Sequence, residues 1–182
     1  MSTVRPVRRV VTGHDAHGAA IIQSDGPAGR VFDKLGQEGL VFHELWNTQE
    51  TPARIDRASG EPGEEKLALS PPKNGTRIRI LDIPPDRPDD KLDTVFDNIA
   101  AADNFHGAES ERHGSFHKTQ TVDYGIVLEG ELVLIMDIGE TTVRAGDVVV
   151  QRGTNHGWSN RSDKPCRIAF ILIDGQYEDG LS

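Results

Sequence analysis

Two histidines and one aspartate in the C-terminal part of the chain are of residue types that bind divalent metal ions. His117 and Asp123 are separated by an even number of positions, and His156 follows further along. Because successive side chains of a β-strand point to opposite faces, His117, Thr119 and Asp123 share one face if Phe116–Tyr124 is extended. Two imidazoles and a carboxylate can hold a metal and leave coordination positions open. The pattern therefore predicts a metal site of His117, Asp123 and His156, with Fe, Mn, Ni or Zn as candidates.

The alternative for these three residues is a vestigial site in which they hydrogen-bond one another and bind no metal. Thr119 is expected to line a substrate pocket, where its hydroxyl would orient a ligand or water, or else to pack as an ordinary strand residue. Trp158 has the same strand parity as His156. It is therefore expected to form an apolar wall of the pocket, which is compatible with packing in the core.

This stretch resembles the first of two sequence motifs of the cupin superfamily. That motif usually contains a His-any-His pair, a Glu a few residues later and a Gly that closes the next turn. His117, Asp123 and Gly130 occupy the first His, the Glu and the Gly positions. Thr119 stands in place of the second His, so the first motif is degenerate.

The second cupin motif is matched more closely. It usually opens with a Gly, passes through a Pro-any-Gly turn, and ends in a His followed by an Asn. Gly146, Gly153, His156 and Asn160 match it, whereas Gln151 replaces the Pro. The resemblance implies an all-β double-stranded β-helix, or jelly-roll, barrel that binds a small molecule. Asn160 is expected to bond local backbone rather than to act as a ligand.

The pattern of segments agrees with a small barrel. From Phe116 onward, short alternating apolar segments are separated by glycine turns. Earlier strands are predicted at Leu40–Trp46, at Thr76–Pro85, and in an N-terminal hairpin whose turn is HDAHG. One short helix is predicted over Asp89–Ala102, where Leu92, Val95, Phe96 and Ile99 recur at helical spacing. A single domain over 1–182 is predicted, with N-terminal strands and a loop over 1–75 and the barrel core with both motifs over 76–175.

The composition of the chain limits the classes of partner and the cellular compartment that are expected. The 182 residues carry a formal net charge of −9, which argues against nucleic acid or an anionic membrane as a partner. The lone Cys166 permits no intrachain disulfide and fits a reducing compartment. No apolar run of signal-peptide or membrane-spanning length is apparent, so a cytoplasmic protein is expected. The apolar run Ala19–Ile22 favours a homodimer, in which the N-terminal strands pair with a neighbouring subunit. The alternative is that these strands fold back on their own barrel.

The sequence is compatible with two functions. The first is a metal-dependent enzyme of the dioxygenase, decarboxylase or isomerase type, acting on a small organic acid, phenol or polyketide-like molecule. The second is a non-catalytic binding module that uses the same barrel with a vestigial metal site. No Ser/His/Asp arrangement is apparent. His106 and His113 lie in a polar segment expected to be a solvent-facing loop, with a lid over the barrel mouth as the alternative.

Overall fold

The protein is almost entirely β-structure. The structure is a computed structural model that describes residues 4–56, 67–90, 92, 95, 99 and 112–181. Within these residues it has the strands β1 (Arg8–His14), β2 (Ala20–Pro27), β3 (Arg30–Phe32), β4 (Val41–Thr48), β5 (Thr76–Ile83), β6 (Thr121–Glu129), β7 (Glu131–Met136), β8 (Glu140–Arg144), β9 (Val148–Arg152), β10 (His156–Ser159) and β11 (Cys166–Asp174). No helix in this part of the chain is long and apolar enough to cross a lipid bilayer.

Two sheets form the predicted jelly-roll barrel. The larger has the strand order β3-β4-β5-β11-β6-β9, and the smaller has the order β10-β7-β8. The inner faces of the two sheets contribute to one core, in which Phe42, Leu81 and Ile168 from the larger sheet meet Leu134 and Trp158 from the smaller. Because β3 and β4 pair with β5, strands from before residue 76 also belong to the barrel. The domain division at residue 75 stays a prediction.

The N-terminal hairpin forms where the sequence predicts it. β1 and β2 pair with each other in a separate two-stranded sheet, joined by a turn in which the Asp15 side chain accepts the backbone N–H groups of His17 and Ala19. Ile22 on β2 is 66% exposed, so part of the apolar run remains uncovered in the single chain. The homodimer stays a prediction.

Most of the predicted helix over Asp89–Ala102 lies outside the described residues. Leu92 and Val95 are helical. Val95 is 1% exposed and Ile99 is 5% exposed, and both belong to the barrel core, with Leu92 packed against them. The three described apolar positions of the predicted helix therefore lie against the core, as their spacing indicates, whereas Phe96 lies outside the described residues.

Gly153, from the second motif, is predicted to be intolerant of a side chain. Its φ is 61°, in the left-handed region, and a Cβ there would lie 2.6 Å from the Tyr177 ring. Gly153→Ala is expected to lower the free energy of unfolding by about 2–4 kcal/mol, from backbone strain together with overpacking. The matched control is Gly146→Ala, because Gly146 has a φ of 96° but no neighbour within 4 Å. Equal losses in urea unfolding would show that Tyr177 does not pack on Gly153.

Candidate functional site

A cavity opens between the two sheets, and most of its wall is apolar. Leu40, Phe42, Leu81, Trp158, Phe170 and Leu172 contribute apolar surface. Polar side chains are grouped among them: Arg79, Asp86, Ser115, His117, Thr119, Asp123 and His156. The predicted pocket residues Thr119 and Trp158 both line this cavity, and Trp158 also belongs to the core. An apolar cavity with a few converging polar groups is the usual form of a small-molecule site.

The two predicted histidine ligands lie side by side. His117 precedes β6 and forms an isolated antiparallel bridge with His156 at the start of β10. Each backbone N–H donates to the other residue's carbonyl, at 2.9 and 3.0 Å. The two ring centroids are consequently 4.4 Å apart. The sequence predicts both residues to reach the site but does not reveal this direct pairing.

Backbone carbonyls fix the tautomer of both rings. Nδ1 of His117 lies 2.8 Å from the Ser115 carbonyl oxygen, and Nδ1 of His156 lies 2.9 Å from that of Thr154. A carbonyl only accepts, so Nδ1 carries the proton in each ring and Nε2 has the lone pair. Burial lowers the pKa of His117, and burial together with the neighbouring His117 lowers the pKa of His156 to about 3. Both imidazoles are therefore neutral at physiological pH.

Asp123 is a buried carboxylate on β6. It is 6% exposed and lines the cavity, and its Oδ1 is buried with no hydrogen-bond partner. Burial raises the pKa of Asp123 to about 6, against the opposing effects of a Thr121 hydrogen bond and the Arg79 charge. An unpartnered buried carboxyl oxygen is costly to maintain, which is typical of functional sites.

Thr119 is held by its neighbours rather than directed at a ligand. Its hydroxyl lies 2.7 Å from that of Thr121. Its backbone carbonyl accepts a hydrogen bond of 2.9 Å from the Tyr177 hydroxyl. Because Thr121 in turn interacts with Asp123, Thr119 is positioned to orient the Asp123 carboxyl through Thr121. The sequence leaves this role open as one of two alternatives.

A buried cluster of opposite charges lies beside the site, and sequence reasoning missed it. On β5, Arg77 and Arg79 face inward and are 3% and 2% exposed. Glu44 on β4 pairs with both: its Oε2 is 2.8 Å from Nη1 of Arg77, and its Oε1 is 2.8 Å from Nε of Arg79. Arg79 also lines the cavity. Besides the larger effect of burial, the charge of Arg79 acts to lower the pKa of both His117 and Asp123, so its field reaches the site and favours an anionic or electron-rich group there.

The side chains of the site meet only part of what a divalent metal ion requires. The two imidazoles have the right donor chemistry, since each presents a neutral ring with a lone pair on Nε2. Within the described residues, however, no three His, Cys, Asp or Glu side chains form a group that could hold a metal ion. Asp123 therefore does not complete a ready-made three-ligand set here, and the site of His117, Asp123 and His156 stays a prediction.

Other sequence predictions have clear outcomes. Asn160 bonds backbone as expected: its side-chain amide donates to the carbonyls of Ile83 and Lys164, each at 2.9 Å. Cys166 is buried, and burial raises the pKa of its thiol to about 12, which agrees with an inert core thiol. His106 lies outside the described residues. The solvent-facing position expected for His113 is wrong, because its side chain is only 15% exposed and contacts Asp86.

Asp123 is expected to make stability depend on pH. Its folded-state pKa of about 6 lies above the 3.8 of an ordinary aspartate. Between these values the folded chain binds more protons than the unfolded chain, so stability falls as pH rises. This group alone is expected to lower the free energy of unfolding by about 3 kcal/mol across that range. Urea unfolding in the presence of chelator should show the fall, and Asp123→Asn should remove it; an unchanged pH slope in the variant would contradict the assignment.

Comparison with known sequences identifies relatives along nearly the whole chain. The Cupin domain family model matches residues 106–173. The phomopsin biosynthesis cluster protein C' of Diaporthe leptostromiformis is 30% identical over 179 residues, which cover 95% of this chain and 81% of that protein. The cupin-domain-containing oxidoreductase srdD of Neurospora crassa is 31% identical over 179 residues, covering 94% and 76% of the two chains.

Solved structures of low sequence identity overlap with the chain as well. One is a putative ethanolamine utilization protein Q of Salmonella typhimurium, at 13% identity and a TM-score of 0.45, covering 95% of this chain and 100% of that one. The relatives that span the chain, together with the jelly-roll barrel and the two motifs on it, establish that the chain belongs to the cupin superfamily.

Proposed function

We propose that this cupin is an enzyme that acts on a small organic molecule in the barrel cavity, with Asp123 as its proton-transfer group. The observation that carries the proposal is the Asp123 carboxyl, which is buried in an apolar cavity with its Oδ1 unpartnered. The names of several relatives, among them the oxidoreductase srdD of Neurospora crassa, support an enzymatic role. A cytoplasmic location remains part of the proposal.

Asp123 has the properties of a general base. A base is most effective when its pKa lies near the working pH, and burial raises the pKa of Asp123 to about 6. At neutral pH the carboxylate would take a proton from a substrate C–H or O–H group, and the buried acid would return it to a second position. Such transfers typically contribute 10²–10⁴-fold to a rate.

The two histidines would hold the polar end of the substrate. Because the Nδ1–H of each ring is engaged with a carbonyl, Nε2 of each ring is an acceptor for a substrate hydroxyl. We also propose that His117 and His156 hold a divalent metal, Fe, Mn, Ni or Zn, through the same two Nε2 atoms, and a bound metal would then take the place of the direct hydroxyl contact. Asp123, the expected third ligand, would bind it through one carboxyl oxygen and keep the other for proton transfer. When bound, this metal would act as a Lewis acid or an oxygen-activating centre.

The lining of the cavity indicates the substrate class. The walls are mainly Leu, Phe and Trp side chains, so the body of the substrate is apolar. The Arg79 guanidinium in the cavity wall would favour an anionic or enolate-like head. A small organic acid, a phenol or a polyketide-like carbonyl compound has this combination.

A turnover assay tests the proposal. Protein reloaded separately with each of the four metals is incubated with a panel of small aryl ketones, phenols and organic acids. Saturation-transfer NMR reports binding, and mass spectrometry reports conversion. Conversion of at least one bound compound is expected. Binding without conversion across the panel would instead favour the alternative, a non-catalytic binding module with a vestigial metal site.

Metal binding is expected to depend on His156. Protein purified without chelator should contain about one divalent metal per chain, because the mixed nitrogen and oxygen donors suit such ions. His156→Ala should lose most of it, by more than the 10–100-fold in affinity that loss of an outer-shell partner costs. His17→Ala is the control, since His17 is exposed in the hairpin turn. Elemental analysis is the measurement, and a metal-free wild type after incubation with each metal would exclude the metal proposal.

A further inference from the structure

We propose that Ser115, His113 and Asp86 form a second reactive centre, in which the Ser115 hydroxyl is a base-activated nucleophile for an activated ester bound in the cavity. Oγ of Ser115 lies 2.7 Å from Nδ1 of His113. Nε2 of His113 lies 3.4 Å from Oδ2 of Asp86, within ion-pair range. A nucleophile next to a base, with that base oriented by a third group, is the arrangement that activates a serine.

The hydrogen bonds define the direction of proton transfer. The backbone N–H of Ser115 also donates to Nδ1 of His113, at 3.1 Å. Nδ1 must therefore carry the lone pair, and the proton of the neutral ring is on Nε2, facing Asp86. Nδ1 is then available to accept the Ser115 hydroxyl proton, as a general base does.

Asp86 is held in place to stabilise a charged His113 ring. Its Oδ2 accepts the hydroxyl of Ser159 at 2.5 Å, and its Oδ1 accepts the backbone N–H of Asn160 at 3.1 Å. Burial raises the pKa of Asp86, but the hydrogen bonds from His113, Ser159 and Asn160 outweigh burial and keep it below its ordinary value. Asp86 thus remains anionic while His113 gains a proton. It acts through His113 and is a positioning residue.

Ser115 is the nucleophile that a cavity-bound substrate would meet. It lines the cavity together with Asp86. The backbone N–H of Trp158 donates to Oγ at 2.9 Å and fixes the position of the hydroxyl. Oγ also lies 3.1 Å from the Trp158 carbonyl oxygen, so Ser115 additionally ties its loop to β10. A test must separate this structural contact from reactivity.

The proposed step is an acyl transfer. The Ser115 Oγ forms a bond to the ester carbonyl carbon, and its proton passes to Nδ1 of His113. The bond between that carbon and the leaving oxygen breaks, and the leaving group takes the proton from His113. Water then cleaves the acyl-serine, which releases a carboxylic acid and restores the hydroxyl. The apolar cavity favours esters of apolar acids.

The test is covalent trapping on the intact chain, with chelator present so that the metal proposal plays no part. Wild-type protein is mixed with p-nitrophenyl acetate, and separately with a fluorophosphonate. The expected result is a burst of p-nitrophenolate and a single adduct that peptide mapping places on Ser115. Folded wild type without an adduct, or with an adduct on another residue only, would overturn the proposal.

Three variants separate chemistry from structure. His113→Asn leaves the Ser115–Trp158 contacts intact and is expected to slow acylation roughly 100-fold. Asp86→Asn should lower the acylation rate constant with little change in KM. Ser24→Ala on β2, in the separate hairpin, should react like wild type. Acylation of folded His113→Asn at the wild-type rate would overturn the proposal.

Discussion

Asp123→Asn is expected to reduce turnover of a cavity-bound substrate by at least about 100-fold, the lower end of what a general base contributes. The amide keeps nearly the same shape as the carboxyl but cannot take up a proton. Because Asp123 is 6% exposed and packed between β9 and β11, the variant should keep the cavity and its affinity for substrate. The loss should therefore appear in kcat rather than in KM. Mass-spectrometric turnover measurements on both proteins give the comparison.

The control for this comparison is Asp25→Asn on β2. Asp25 is an exposed aspartate that pairs with Arg8 on the separate two-stranded sheet, and it does not line the cavity. Its replacement should leave kcat unchanged. An Asp123→Asn protein that binds and converts substrate as wild type does would show that Asp123 transfers no proton in the reaction.

Glu44→Ala is expected to lower the free energy of unfolding by about 3–5 kcal/mol, because it removes the carboxylate that pairs with two buried arginines. Arg77 and Arg79 are 3% and 2% exposed, so water cannot replace the lost carboxylate. The free energy of unfolding of Glu44→Gln should lie between those of Glu44→Ala and wild type, since glutamine keeps hydrogen-bonding atoms but not the charge. Urea unfolding at neutral pH measures all three proteins.

Asp25→Ala is the matched control for Glu44→Ala. The Arg8–Asp25 pair has a similar separation of 2.8 Å, but its side chains are 73% and 41% exposed. Exposed pairs of this kind contribute little to stability, because solvent screens the two charges. If Glu44→Ala lowered the free energy of unfolding no more than Asp25→Ala does, the predicted stabilisation of the buried arginines by Glu44 would be wrong.

Strand alternation predicts the barrel and half of the site. The even spacing of His117, Thr119 and Asp123 predicts that they face the same interior, and all three line the cavity. Trp158 lies two residues after His156 on β10, and both side chains line the cavity as well. Within a strand this follows from local geometry, because its side-chain period is two. The extended segment predicted over Phe116–Tyr124 is wrong in its first part, since β6 begins at Thr121 and His117 is held by its bridge to His156.

The charged part of the site depends on contacts between distant strands. Arginine and isoleucine alternate along β5, and either face of such a strand could be the inner one. The arginine face is buried because Glu44 on β4 lies opposite and neutralises part of its charge. Alternation alone contains no information about that partner.

The Ser115–His113–Asp86 contacts are hidden from the sequence for the same reason. Ser115 and His113 are close in sequence, but Asp86 follows β5 and is fixed by Ser159 and Asn160 from the second motif region. Only the closure of the barrel brings these segments together. No Ser/His/Asp arrangement is therefore apparent in the sequence, whereas in the structure Ser115 contacts His113 and His113 contacts Asp86.

Deuterium exchange observed by proton NMR tests the proton-transfer claim most directly. Wild-type protein in D₂O is mixed with phenylacetone and 4-phenylbutan-2-one, apolar ketones with exchangeable C–H groups, and saturation transfer in the same sample reports binding. Faster loss of the C–H signals next to the carbonyl than in buffer is predicted for wild type, with the buffer rate restored by Asp123→Asn. A bound ketone whose signals decay at the buffer rate with wild type would contradict the account.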